Sequence, residues 1–155
     1  MRKGILTPLF MVSFLSLSNA QFGTVPQYEL GVVLGEPLGI SGKVWLSQHT
    51  ALDGAVAWSF TENGLFSVYA DYLIHPYFFE FESATLPIYF GVGPEVRIGN
   101  DWFIGGRLPI GAEYIFDFLP VSFFGEIAPQ WQLIPDNKFV LSGGVGVRLT
   151  FGTVE

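Results

Sequence analysis

Phe139-Val-Leu-Ser-Gly-Gly-Val-Gly-Val-Arg-Leu-Thr-Phe151 alternates between two kinds of residue with little interruption. Its odd positions are apolar or glycine, whereas its even positions, Val140 apart, are small or polar and include Arg148. Because successive side chains of a β-strand point to opposite faces, this segment has one apolar face and one face that carries a charge. Residues 121–133 repeat the pattern, with Glu126 on the second face. Strands of this length and polarity are typical of transmembrane β-barrels.

The composition of the chain favours the same fold class. Charged residues make up 14% of the chain, against about 25% in an ordinary soluble domain. Because no apolar run is long enough for a membrane helix, a closed barrel is the spanning structure that remains. Seven basic residues stand against fourteen acidic ones, and this balance argues against a nucleic-acid partner. The chain has no cysteine, so neither disulfides nor thiol chemistry is expected.

The N-terminus is typical of a secretory signal peptide. Arg2 and Lys3 form a basic start, residues 5–17 an apolar stretch, and Ser18-Asn19-Ala20 a small-residue cleavage site. The alternative, a membrane-anchoring helix, needs about 20 apolar residues. We therefore expect a signal peptide at 1–20 cleaved after Ala20, a lead-in at 21–27, a barrel at 28–151 and a tail at 152–155. The expected location is the outer membrane of a Gram-negative bacterium.

The alternation and the turn residues between segments predict an all-β fold, an eight-stranded antiparallel up-and-down transmembrane β-barrel. The predicted strands cover 28–35, 39–46, 51–60, 65–75, 86–98, 102–116, 121–133 and 139–151, and the longest connection is 76–85. Pro94, Pro109 and Pro129 fall inside strands, where each removes a hydrogen-bond donor. We expect β-bulges there that leave the register unchanged.

Charged side chains share the face opposite to the apolar one. A lipid-facing Arg or Lys at the membrane midplane costs about 2–4 kcal/mol, so the charged face is expected to line the lumen. The predicted lumen charge network contains Glu29, Lys43, Asp53, Asp71, Glu95, Arg97, Arg107, Glu113, Glu126 and Arg148, with His75 on the same face. Within it, Arg97, Arg107 and Arg148 are expected to be held by Glu95, Glu113 and Glu126.

Aromatic residues are predicted on both faces. Those near strand ends on the outward face suit two membrane-interface girdles. The girdle residues are Tyr28, Trp58, Phe60, Trp102, Tyr114, Phe116, Trp131, Phe139 and Phe151. Those on the inward face are expected to fill an eight-stranded interior. They are Trp45, Tyr69, Tyr89, Phe103 and Phe124.

No motif gives a strong indication of catalysis. His75 and Asp71 share a face, with Ser59 and Ser67 on neighbouring strands, so a hydrolase arrangement is an alternative interpretation of these four residues. His49 has no second His or Cys nearby to complete a metal site. The glycine-rich segments 91–93 and 143–146 do not open helices, so they do not suit phosphate loops. We predict no catalytic, cofactor-binding or metal-binding residues.

Several segments resemble a known family. They are Leu30-Gly-Val-Val-Leu-Gly-Glu-Pro37, Gly39-Ile-Ser-Gly-Lys-Val-Trp-Leu46, Ala51-Leu-Asp-Gly-Ala-Val-Ala-Trp-Ser-Phe60, Tyr69-Ala-Asp-Tyr72, Leu86-Pro-Ile-Tyr89, Ile127-Ala-Pro129 with Leu133-Ile-Pro-Asp136, and Gly143-Gly-Val-Gly-Val-Arg148. Together they resemble the BAPKO-type outer-membrane β-barrel family, an uncharacterised family named from a Borrelia member. The resemblance implies an OmpX/OmpA-like fold and supplies no substrate or catalytic residues.

The sequence therefore predicts a small, monomeric, non-enzymatic outer-membrane barrel with a side-chain-filled charged lumen and a structural or interaction role at the cell envelope. Its expected partners are outer-membrane lipid and, during biogenesis, the barrel-assembly machinery. A soluble lipocalin-like carrier of a small apolar ligand is the alternative, and it would line its cup with the apolar face. A lipid-modifying barrel enzyme that uses His75 is the second alternative.

Overall fold

The computed structural model describes residues 25–35, 38–59, 64–100 and 102–154, which contain strands and no helix. The strands are β1 (Tyr28–Leu34), β2 (Leu38–Trp45), β3 (Thr50–Trp58), β4 (Phe66–Phe81), β5 (Ala84–Ile98), β6 (Phe103–Arg107), β7 (Ile110–Phe116), β8 (Val121–Ile134) and β9 (Lys138–Phe151). The predicted signal peptide and Phe60 lie outside the described residues.

The nine strands form one antiparallel up-and-down sheet that closes into a ring. Consecutive strands pair from β1 to β5, and β8 pairs with β9. The ring closes where β1 pairs with β9, from Tyr28 opposite Phe151 to Leu34 opposite Val145. We call the end of the ring at Tyr28 and Phe151 the terminal end, and the other end the opposite end. The all-β antiparallel prediction is thus confirmed.

The sixth predicted strand, 102–116, is wrong as a continuous element, because it is divided at Leu108 and Pro109. Both halves, β6 and β7, pair with β5 and with β8, so they occupy one place in the ring. Pro109 has no N–H to donate, which interrupts the ladder. The register continues across the break, since Arg107 pairs with Gly93 and Ile110 with Phe90.

The predicted long connection at 76–85 is also wrong. β4 continues to Phe81 and β5 begins at Ala84, so Glu82 and Ser83 alone connect them. One of the two register shifts in the described pairings lies between Ile74 and Tyr77, beside Pro76, and the other lies beside Ile104. The predicted bulges at Pro94 and Pro129 are therefore absent, because Pro94 pairs with Gly106 and Pro129 with Leu141 in continuous register.

The two faces of the ring differ sharply in polarity. Every strand exposes large apolar side chains on its outer face, such as Ile40, Val92 and Leu141. Most of the buried side chains that carry charge lie inside the ring. An apolar cluster also lies in the interior at the terminal end, where Val25, Trp45 and Leu73 are buried and Val154 packs against them. The described residues include no helix that is long and apolar enough to cross a membrane.

Candidate functional site: the charged interior

The interior of the ring contains a connected set of charged side chains. Of the ten residues predicted for the lumen network, eight are buried, while Glu126 and Arg97 keep side-chain exposures of 9% and 18%. They belong to two groups. The terminal layer contains Glu29, Lys43, Asp53, Glu113 and Arg148, and the opposite layer contains Asp71, Glu95, Arg97, Arg107 and Glu126.

Ion pairs across the ring hold the terminal layer together. Lys43 Nζ lies 2.5 Å from Glu113 Oε2. Arg148 donates to both oxygens of Asp53 at 2.8 and 3.0 Å and to Ser41 Oγ, and its Nη1 lies 3.6 Å from Glu113 Oε1. Each of these pairs joins strands that are not neighbours, β2 with β7 and β9 with β3. The layer therefore braces the ring from within.

Glu29 joins this layer through neutral groups. Its Oε1 accepts a hydrogen bond from Trp45 Nε1 at 2.5 Å. Its Oε2 lies 2.8 Å from Ser122 Oγ, which is also 2.9 Å from Glu113 Oε1. Ser122 is fully buried, so one hydroxyl connects two buried carboxyl groups.

Arg107 is the centre of the opposite layer. Its Nε lies 3.0 Å from Asp71 Oδ2, and a second nitrogen contacts Glu126, which also accepts a hydrogen bond from Tyr89. The guanidinium carbon is 3.6 Å from the ring centre of Tyr69, a cation–π contact.

Glu95 is the second acceptor centre of the opposite layer. It accepts hydrogen bonds from Ser67 at 3.0 Å, Arg97 at 3.1 Å and Gln130 at 2.6 Å. The expectation that the three arginines are held by glutamates alone is therefore incomplete. Arg97 does pair with Glu95, but Asp53 is the nearest acidic partner of Arg148, and Asp71 shares Arg107 with Glu126.

His75, Asp71 and Ser67, three residues of the alternative hydrolase arrangement, each have a different partner. His75 Nε2 accepts a hydrogen bond from Lys43 at 3.1 Å, because an ammonium group can only donate. Asp71 pairs with Arg107, and Ser67 donates to Glu95. His49 lies in the turn between β2 and β3, where burial lowers the pKa of its imidazole. Within the described ranges, no group of three or more His, Cys, Asp or Glu could hold a metal ion.

Two inward aromatic rings occupy space left by glycines on the neighbouring strand. Tyr89 lies opposite Gly111, and Phe124 lies opposite Gly146. A Cβ at Gly111 would lie 2.7 Å from the Tyr89 ring, and a Cβ at Gly146 would lie 2.3 Å from the Phe124 ring. Sequence reasoning missed these pairs, because glycines on the inward face become a signal only once the register is known.

Side chains fill most of the interior. Trp45, Tyr89, Phe103 and Phe124 are buried, as expected for interior fillers, and Tyr69 is half-buried. A cavity of about 50 Å³ remains on the side of the opposite end, between Glu95, Arg97, Glu126 and Gln130. This volume is large enough for water molecules.

The predicted girdle aromatics fall at the two ends of the outer face. Tyr28, Tyr114, Phe116 and Phe151 lie towards the terminal end, whereas Trp58, Trp102, Trp131 and Phe139 lie towards the opposite end. All eight are exposed or half-exposed.

No family model, curated protein or solved structure matches the chain, so its resemblance to the BAPKO-type family stays a hypothesis.

Proposed function

We propose that this chain is a small transmembrane β-barrel of a bacterial outer membrane with a non-enzymatic, structural or interaction role. The proposal depends on the polarity of the ring, which is the reverse of that of a soluble protein: apolar outside and charged inside. The outer face exposes apolar side chains on all nine strands, and the inner face carries the ion pairs. Soluble monomers rarely expose contiguous apolar patches beyond a few hundred Å². Lipid is the surroundings in which such an outer face is stable.

The aromatic rows support a membrane-spanning orientation. Phe139 and Phe151 mark the two rows on β9 and are about twelve residues apart. At about 3.4 Å per residue and a strand tilt of about 40°, their separation along the ring axis is about 30 Å. An outer-membrane apolar band is about 25 Å tall and is flanked by aromatic girdles, so the spacing suits a bilayer.

The proposed barrel has eight strand places, since β6 and β7 share one. Eight strands leave an interior that side chains can fill, which agrees with the cavity of about 50 Å³. This interior does not suit a general porin. It also disfavours the lipocalin-like alternative, because an apolar ligand would have to displace buried ion pairs such as Lys43–Glu113.

A non-enzymatic role agrees with the partners of the candidate side chains. The imidazole of His75 is held by Lys43 and packs 4.2 Å from Trp45, ring centre to ring centre. Its Nδ1 lies 3.4 Å from the main-chain oxygen of His49. Lipid is the proposed environment of the outer face, the barrel-assembly machinery is the proposed partner in biogenesis, and the proposed state is a monomer.

Heat-modifiable gel migration of the membrane fraction tests the proposal. A barrel of this kind stays folded in detergent without heating and migrates differently after boiling. We expect the protein in the membrane pellet with such a shift, whereas a soluble protein with a single mobility would overturn the proposal.

Planar-bilayer recordings should show no large steady conductance, and such a conductance would indicate a channel instead. N-terminal sequencing should begin at Gln21, as cleavage after Ala20 requires.

A further inference from the structure

The charges of the terminal layer do not balance. Glu29, Asp53 and Glu113 bring three carboxyl groups against the two cations Lys43 and Arg148, and all five residues are at most 5% exposed. His75 adds no positive charge, because its Nε2 accepts from Lys43. If all three carboxyls were ionised, the layer would hold one uncompensated negative charge away from water, which is strongly unfavourable.

The position of Ser122 shows where that charge can be neutralised. Its hydroxyl oxygen lies 2.8 Å from Glu29 Oε2 and 2.9 Å from Glu113 Oε1. A serine hydroxyl carries a single proton and can donate to one of them only. The other carboxyl oxygen would face a lone pair at hydrogen-bonding distance unless that carboxyl itself carried a proton.

The surrounding groups distinguish the two carboxyls. Glu113 receives the ammonium of Lys43 at 2.5 Å and lies 3.6 Å from Arg148, so its ionised form is stabilised. Lys43 is directly opposite Glu29 in the β1–β2 register, yet its ammonium contacts Glu113 and His75. The hydrogen bond to Glu29 Oε1 comes from the neutral indole of Trp45. Its Oε2 is therefore the place for a proton.

We propose that the folded protein holds one proton on Glu29, which donates to Ser122 Oγ while Ser122 donates to Glu113 Oε1. The relay satisfies all three groups and makes the terminal layer electrically neutral. It also makes the brace sensitive to pH, because loss of the proton in alkaline solution leaves a net negative charge among the groups that surround Glu29. The groups that contact Glu29 directly or through one another are Lys43 and Trp45 on β2, Asp53 on β3, His75 on β4, Glu113 on β7, Ser122 on β8 and Arg148 on β9.

Glu29→Gln and Glu113→Gln form a matched pair of variants that tests the proposal. A glutamine at position 29 keeps a donor for Ser122 and an acceptor for Trp45, so the unfolding equilibrium constant in detergent at neutral pH should stay within about threefold of wild type. Glutamine at position 113 removes the ionised partner of Lys43 and should raise that constant about a hundredfold. Equal losses for the two variants would overturn the proposal, because an ionised Glu29 would then be a partner of equal importance.

Infrared spectroscopy in heavy water tests the proton directly. The spectrum of wild type at neutral pH should contain the carbonyl band of the protonated Glu29, and Glu29→Gln should lose that component. Any band from Asp71, Glu95 or Glu126, which share two arginines in the opposite layer, should be common to both proteins. Glu80→Gln, which changes an exposed glutamate of β4, should keep the Glu29 band. If Glu29→Gln does not refold, Ser122→Ala decides, since removing the hydrogen-bond acceptor should shift the band. The absence of the band from wild type, or a band that Ser122→Ala leaves unchanged, would overturn the proposal.

Discussion

Val145→Arg is the substitution that tests the membrane orientation most directly. Val145 is 58% exposed on the outer face of β9, and it pairs with Leu34 on one side and Gly125 on the other. It lies about six residues from both Phe139 and Phe151, hence about 15 Å from each aromatic row. An arginine there would place its guanidinium near the middle of the proposed apolar band.

The expected cost depends on depth. A lipid-facing arginine at the midplane destabilises a barrel by about 2–4 kcal/mol, and the cost falls to about 0–1 kcal/mol near the interfaces. Leu149, on the same face of β9 and 52% exposed, provides the matched control. It lies about 10 Å closer to the terminal end along the ring axis, so Leu149→Arg should cost about 0–1 kcal/mol.

Equilibrium unfolding of wild type and both variants in phosphatidylcholine vesicles measures the difference. The free energy of unfolding should fall by about 2–4 kcal/mol for Val145→Arg and by clearly less for Leu149→Arg. In water both sites would be ordinary exposed positions, where substitutions change stability by about 0.5 kcal/mol or less. Two small and equal losses, or the reverse order, would therefore refute the assignment of the outer face to lipid.

Two further predictions concern the interior, both measured by unfolding in detergent. Arg107→Ala should destabilise the protein by about 3–5 kcal/mol, because it leaves buried carboxylates unpaired. Lys138→Ala, at an exposed position, should cost less than about 1 kcal/mol. Equal losses for the two variants would mean that water reaches Arg107. Gly146→Ala should cost about 1–3 kcal/mol, because its Cβ would overlap the Phe124 ring and would lie 2.6 Å from the main-chain oxygen of Val32. Gly106→Ala, with its nearest contact at 3.8 Å, should be nearly neutral. A neutral Gly146→Ala would show that both the Phe124 ring and the Val32 main chain yield, and it would refute the tight packing.

Much of the fold could be predicted from side-chain alternation alone. Strand β9 was expected at 139–151 and is observed at Lys138–Phe151, because a period of two defines both its extent and its inward face. Pro109 indicated an irregularity in the sixth predicted strand. An isolated proline does not show whether a strand bends, bulges or divides, so the division into β6 and β7 was not predicted. The extension of β4 to Phe81 was missed, because Pro76 and the run of aromatic residues after it obscure the alternation.

The interior partners could not be predicted in the same way. Alternation places Arg148 and Asp53 on the inward face, but it does not show that they meet. They are separated by 95 residues in the sequence and lie on β9 and β3, with β1 and β2 between them in the ring. Their contact depends on the stagger of every strand pair between them. A shift of one residue in any of those pairs would turn one side chain outward.

This dependence on register has a consequence for how the ring is stabilised. Lys43–Glu113, Arg148–Asp53 and Arg107–Asp71 all join strands that do not pair with each other. A hairpin of neighbouring strands cannot form any of them. Arg107–Asp71 spans the single intervening strand β5, whereas Lys43–Glu113 and Arg148–Asp53 form only in a sheet that has already curved and largely closed. Because a buried charge without its partner is costly, a partly closed sheet that excludes water from these side chains is disfavoured relative to both the open and the closed sheet. The charged interior thus makes closure of the ring cooperative. The pairing of β1 with β9 closes the ring and also brings Arg148 to Asp53.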